Sequence, residues 1–214
     1  AGHPRCVAAS RDGSSLFVGL CDIYIEGTGF VGCVCEFSPS DGKLLRQVYR
    51  CENFEPSGMA ISPDGAALAV TDARRGRVLF LCLADGSMRA ISKKGQANSQ
   101  LKLPCDVSYT PDGQQVVVAD TYTKKVKIFN LDGTLACAFP VEGGVFALAV
   151  DGSGNICTAG ENHIKVFSRQ GMLLHDKLGG LPLRVHVKAT PCLALDSSSG
   201  RIAVSVSADR TVFI

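Results

Sequence analysis

Seven basic residues fall in three short polar stretches: Arg74 and Arg75 in ARRGR, Lys124 and Lys125 in TYTKK, and Lys93, Lys94 and Lys102 in the intervening ISKKGQANSQLKLP. If the fold gathers these stretches, their cations can neutralise several phosphates together, which is the electrostatic footprint of RNA binding. Tyr122 lies among the lysines and offers an aromatic plane to an unstacked base, as Arg74 and Arg75 do through their guanidinium planes. A further polar stretch, GGLPLRVHVKATP, contributes Arg184, His186 and Lys188. Against this, surface Lys and Arg commonly serve solubility, and Glu52, Glu55, Glu142, Glu161 and Asp209 sit in comparable connections. An acidic protein partner would use the same residues, with Arg and Tyr as its main anchors.

Other chemistry has thinner support. The four histidines, His3, His163, His175 and His186, are scattered, and a zinc site needs three or four convergent ligands. No G-x-S-x-G elbow or phosphate-cradling loop is present, and the many Asp-Gly pairs are turn chemistry. Asp72 and Asp120 each close an apolar run ahead of a tight loop, where a carboxylate accepts backbone N–H bonds. The ten cysteines are widely and irregularly spaced, mostly within apolar runs such as GCVCEF and FLCL, where a thiol acts as a small hydrophobe. The expectation is reduced core cysteines, no disulfides and a cytoplasmic protein. No metal, cofactor or small-molecule substrate is expected.

The elements that must position the basic stretches repeat along the chain. Apolar residues make up 46% and charged residues 20%, a globular composition, and no apolar run is long enough to span a bilayer. Five segments open with a strand-like run: PRCVAAS, PSGMAIS, PCDVSYT, VFALAVD and PCLALDS. Each is followed by a turn, a second strand, a polar connection and a third strand; four units continue through a second turn into a fourth strand. In SPDG and TPDG, proline and glycine occupy the second and fourth positions that a type I turn favours. No ten-residue window carries an apolar stripe at helical period.

Four antiparallel strands per repeat of about 40–50 residues is the sequence form of a β-propeller blade. The reading is one all-β propeller over 1–214, with blades near 4–50, 56–92, 104–140, 145–178 and 191–214. Five blades are expected, or six if residues are missing, since the fifth unit stops before its fourth strand. In such a fold the connections between strands two and three, and between blades, share one face. The seven cations should therefore crowd one rim, and the Asp-Gly turns should line the opposite face.

These units resemble NHL repeats. PCDVSYTPDGQQVVVADTYTKKVKIFNLDGTL and PSGMAISPDGAALAVTDARRGRVLFLCLADGSM carry the opening proline, the small-apolar first strand, the D-G turn and the strand ending in Asp. Units four and five have Gly160 and Ser207 at the aspartate position, and unit one has a long insertion, IYIEGTGFVG, after Asp22. The resemblance implies a C-terminal recognition domain of a tripartite-motif ubiquitin ligase, with an innate-immune, antiviral member as the nearest type. In that family the propeller recognises RNA or a protein target, and a RING elsewhere in the parent chain performs ligation. The alternatives are a protein-protein scaffold and a metal-dependent hydrolase or lactonase on a six-bladed propeller.

Overall fold

The computed structural model describes residues 2–160 and 163–176 and the strands at 192–196, 201–206 and 211–213; of these last, Leu193 alone is described beyond the backbone. Nineteen strands are described. The first sheet holds β1 (His3–Ala9), β2 (Leu16–Ile25), β3 (Gly29–Phe37) and β4 (Leu44–Glu52). The second holds β5 (Pro56–Ile61), β6 (Ala67–Asp72), β7 (Arg77–Cys82) and β8 (Met88–Ile91). The third holds β9 (Pro104–Tyr109), β10 (Gln115–Asp120), β11 (Lys125–Asn130) and β12 (Leu135–Pro140). The fourth holds β13 (Ala147–Val150), β14 (Ile156–Ala159), β15 (Ile164–Phe167) and β16 (Leu173–His175). A three-stranded fifth sheet holds β17 (Cys192–Asp196), β18 (Arg201–Val206) and β19 (Thr211–Phe213). Every sheet is an antiparallel meander in chain order. This is the all-β, β-propeller architecture that the repeat implied. No described helix is long and apolar enough to cross a membrane.

The central strands explain the sheet stacking. In β6, Leu68 and Val70 face the first sheet beside Phe17, Val34 and Met59, whereas Ala69 faces the third beside Val107 and Val116. In β10, Val116 and Val118 face the second sheet, and Val117 and Ala119 face the fourth beside Val145 and Ile156. Alternate side chains thus enter different interfaces, so LAV and VVVA are continuous apolar runs buried on both faces. The innermost strands β1, β5, β9, β13 and β17 pack in series. Val7 on β1 is 62% exposed, and among the described residues no sheet packs on that side of β1 as β5 does on the other.

Side chains link successive inner strands. Ser57 Oγ on β5 donates to the carbonyl of Pro104 on β9 (2.7 Å), and Cys105 Sγ on β9 donates to the carbonyl of Phe146 before β13 (3.0 Å). The turns form as expected. Gly65 N donates to Ser62 O (2.9 Å), Asp64 accepts from Ser62 Oγ (2.5 Å) and Ala66 N (3.0 Å), and Gly65 takes the left-handed φ of 75° that closes the turn.

Candidate partner-binding face

Asp72 and Asp120 organise the face opposite these turns. Both are fully buried at the ends of β6 and β10. Asp120 accepts from the backbone N–H groups of Lys102 (3.2 Å) and Leu103 (2.9 Å), which fixes the end of the connector between the second and third sheets. Asp72 accepts from Arg75 N (3.3 Å) and pairs with Arg77 (3.0 Å). Their role is structural, as sequence reasoning held. That reasoning missed the partner of Asp120. Lys127, in the middle of β11 and wholly buried, lies 2.9 Å from Asp120 Oδ2 and also donates to the carbonyls of Gln100 and Ala97. One ammonium thereby anchors the connector at residues 97, 100 and, through Asp120, 102–103.

The connector joins the two predicted basic loops. Lys94 Nζ donates to the carbonyl of Arg74 (2.9 Å), and Lys125 Nζ donates to Asn98 Oδ1 (2.9 Å). ARRGR, the connector and TYTKK are therefore contiguous. Arg74, Lys93, Lys94 and Lys124 are exposed and Lys102 and Lys125 half-exposed. Lys102 Nζ stands 5.2 Å from the centre of the Tyr122 ring, itself 58% exposed, with Leu103 also exposed nearby in sequence. Lys124 adopts a left-handed φ of 54°, where the equivalent loop of the second sheet has Gly76 at 61°.

Not every predicted cation points outward. Arg75 donates to the carbonyls of Glu52 (2.7 Å) and Asn53 (3.0 Å) and meets Asp72, so it supports the joint between the first two sheets. Among the acids, Glu55 is held between Arg5 (3.4 Å) and Arg74 (3.7 Å), which offsets part of its charge. Glu142 is exposed and pairs with the buried Lys165 (3.5 Å). Arg184, His186, Lys188, Glu161 and Asp209 lie outside the described residues. The imidazole of His163 sits over Gly160, where a side chain would collide with it; burial and the nearby Lys165 charge push its pKa down.

The insertion after Asp22 is an extension of β2 and β3 into a hairpin turned by Gly27 and Gly29. Tyr24 and Phe30 pair across it edge to face at 5.6 Å and are 67% and 53% exposed. Its signal was the Ile-Tyr-Ile alternation ahead of a Gly-Thr-Gly turn. Among the described residues no group of three or more His, Cys, Asp or Glu side chains is placed to hold a metal ion.

The chain matches no family model. It is similar to the human E3 ubiquitin-protein ligase NHLRC1, 31% identical over 121 residues, 56% of this chain and 28% of the relative. Two solved structures share the fold. The periplasmic gluconolactonase PpgL of Pseudomonas aeruginosa superposes over 95% of this chain and 65% of its own, at a TM-score of 0.68 and 21% identity. The hydrazine synthase of Kuenenia stuttgartiensis superposes over 95% of this chain and 55% of its own, at 0.66 and 18%. The chain thus spans just over a quarter of the ligase's length and under two thirds of either structure. At these identities the two structures establish the propeller fold and nothing of the chemistry.

Proposed function

We propose that this propeller is a non-catalytic recognition module that captures RNA on its basic loop face, in service of a ubiquitin ligase whose RING lies elsewhere in the parent protein. The observation that carries the reading is the convergence of Arg74, Lys93, Lys94, Lys102, Lys124 and Lys125 on one connector, with exposed Tyr122 among them. Cations at that density suit a phosphate backbone, and the open ring suits a base that has left its stack. Similarity to a ubiquitin ligase supports the ligase setting. The proposed context is cytoplasmic and antiviral, as in tripartite-motif ligases. The lactonase likeness extends to the fold alone, so a hydrolase reading has no observation of its own.

The test is fluorescence anisotropy with labelled single-stranded and duplex RNA over a salt series. The wild type is compared with a variant carrying Arg74→Glu, Lys93→Glu and Lys124→Glu. For single strands the log–log salt slope changes by about 0.7 per phosphate contact, so three lost contacts should flatten it by about 2. Absence of wild-type binding near physiological salt would refute RNA as ligand. A second reading, an acidic protein docked on the same face, is favoured by the exposed Leu103 and Tyr122, apolar and aromatic anchors of the kind found in protein interfaces. Co-precipitation of a protein partner that the same variant abolishes would establish it.

A further inference from the structure

The turn face carries a row of carboxylates interspersed with Arg11, Lys43, Arg46, Arg89 and Arg169. Asp12, Asp41, Asp64, Asp85, Asp112 and Asp132 are exposed in its turns, and hydrogen bonds from turn hydroxyls and amides, and at Asp41 first of all from the Lys43 ammonium, hold their carboxyls below the usual range. Some are neutralised: Lys43 meets Asp41 (2.9 Å) and Arg169 meets Asp112 (3.0 Å). Asp64 forms no ion pair among the described residues.

Between the second and third sheets this face opens into a cleft of about 380 Å³. Its construction follows from the blades. The SPDG and TPDG turns meet at one end, where Pro63 lies against Gly113; a methyl there would sit 3.5 Å from the proline ring. Across the cleft, Arg89 reaches from β8 to the carbonyl of Leu131 and lays its guanidinium 4.1 Å over the Phe80 ring. Phe80 and Tyr109, 6.3 Å apart, line the cleft along with Met88 and Leu131. Tyr109 is only 8% exposed, yet its hydroxyl makes no hydrogen bond among the described residues and is not sealed off from solvent. Burial pushes the pKa of the Tyr109 phenol up. The Tyr109 hydroxyl, and a guanidinium that among the described residues is bonded through one nitrogen, thus leave donor capacity along the lining of an apolar cleft.

We propose that this cleft binds a linear basic peptide. One apolar or aromatic side chain enters beside Met88 and Leu131, over the edges of Phe80 and Tyr109, a backbone carbonyl accepts from the Tyr109 hydroxyl or Arg89, and a neighbouring Lys or Arg faces Asp64. The volume is at the small end of ligand sites, roughly 300–1,000 Å³, so one or two residues enter and the rest of the peptide lies across the acidic turns. Arg89 sets the polarity: its charge repels a second cation from the Phe80 side and leaves Asp64 as the cation's partner. The site is independent of the loop face and would let one propeller hold two unlike partners on opposite sides.

The experiment is fluorescence anisotropy with fluorescein-labelled Ser-Lys-Phe-Lys-Ser, on the full chain at low and physiological salt. Saturable binding is expected, at least tenfold weaker for probes with Ser in place of Phe or Glu in place of both Lys. Asp64→Lys and Ser87→Trp, both changes at exposed rim positions, should each weaken binding at least tenfold, while Arg74→Glu with Lys124→Glu on the opposite face should not. The probe substitutions leave the protein untouched, so misfolding of a variant cannot rescue the idea. No saturation by about 1 mM, or binding indifferent to both rim variants, overturns it. So does sedimentation showing self-association that Asp64→Lys abolishes, because the occupant would then be a second copy.

Discussion

Lys127→Met should be the most destabilising single change that leaves the apolar core intact. The ammonium is wholly buried, 2.9 Å from an equally buried Asp120, and it satisfies two connector carbonyls as well. Methionine keeps most of the volume and removes the charge. Asp120 then retains the N–H groups of Lys102 and Leu103 but loses its counter-ion in a site that water does not reach. Breaking a buried pair in this one-sided way costs about 3–5 kcal/mol. At roughly 2–4 °C per kcal/mol for a chain of this size, Tm should fall on the order of 10 °C. The internal control is one sheet further on. Lys127 lies opposite Val118 and Lys165 opposite Thr158, the same position in consecutive blades. In the fourth sheet, however, the aspartate is replaced by Gly160, and Lys165 reaches the 94%-exposed Glu142 at 3.5 Å and Asp176 at 3.9 Å. Pairing with such screened partners is worth about 0–1 kcal/mol, so Lys165→Met should cost far less. Urea denaturation of wild type, both single variants and Asp120→Asn with Lys127→Met would measure this. The double variant should recover part of the loss. Equal costs for Lys127→Met and Lys165→Met, or a Lys127→Met cost under about 1 kcal/mol, would refute the buried-pair account.

Three further expectations follow from particular residues. Lys124→Gly should relieve a left-handed backbone that costs a non-glycine residue about 1 kcal/mol or slightly more, while weakening RNA binding severalfold; denaturation and anisotropy on one preparation would show the trade. Burial pushes the Asp106 carboxyl up to about 7 despite its bonds from Val107 N and Leu148 N, so the folded state prefers it protonated. Its folded pKa exceeds the unfolded one, so its contribution is fully present below about pH 4, declines as pH rises to about 7 and is then constant. Asp106→Asn should therefore raise Tm at pH 8 and make little difference at pH 4; a larger gain in acid would contradict the assignment. The nine described cysteines are free, so reductant should leave Tm unchanged; burial raises Cys6, Cys33, Cys105 and Cys157 to about 12, so these four thiols should react slowly with Ellman's reagent at pH 8 in the native protein.

The blades were legible because two-sided burial leaves a plain mark: LAVTD and VVVAD are apolar at every step, and only a strand stacked on both faces has use for that. The turns were equally plain, since Ser-Pro-Asp-Gly satisfies its own amides locally. The basic rim could be placed on one face from topology alone, because strand direction fixes where each connection emerges. What could not be read was which cations turn inward. In KVKIF, Lys127 looks like the solvent-facing member of an alternating strand; its burial depends on Asp120 and on carbonyls some 30 residues upstream. Arg75 likewise turns inward because the Glu52 and Asn53 carbonyls and the Asp72 carboxylate lie within its reach, whereas its neighbour Arg74 meets Glu55 and the Asn53 side chain. The hairpin carrying Tyr24 and Phe30 reads as an insertion because it breaks the spacing of the repeat, although its own alternation and glycine turn describe it. The cleft beside Phe80 depends on Arg89 spanning two blades, a contact between side chains that neither repeat contains by itself.

A net charge of +2 conceals how this molecule should behave on approach to anything else. With Arg74, Lys93, Lys94 and Lys124 exposed on one side and turn aspartates on the other, the described part of the protein should carry a dipole larger than its overall charge suggests. In the field of a polyanion it should rotate before it arrives, so that most encounters present the correct side. The association rate, more than the dissociation rate, should then fall as salt shortens the screening length to about 10 Å at 0.1 M. The same asymmetry should let the folded protein bind both cation- and anion-exchange resins at one pH, and denaturation should abolish retention on one of the two.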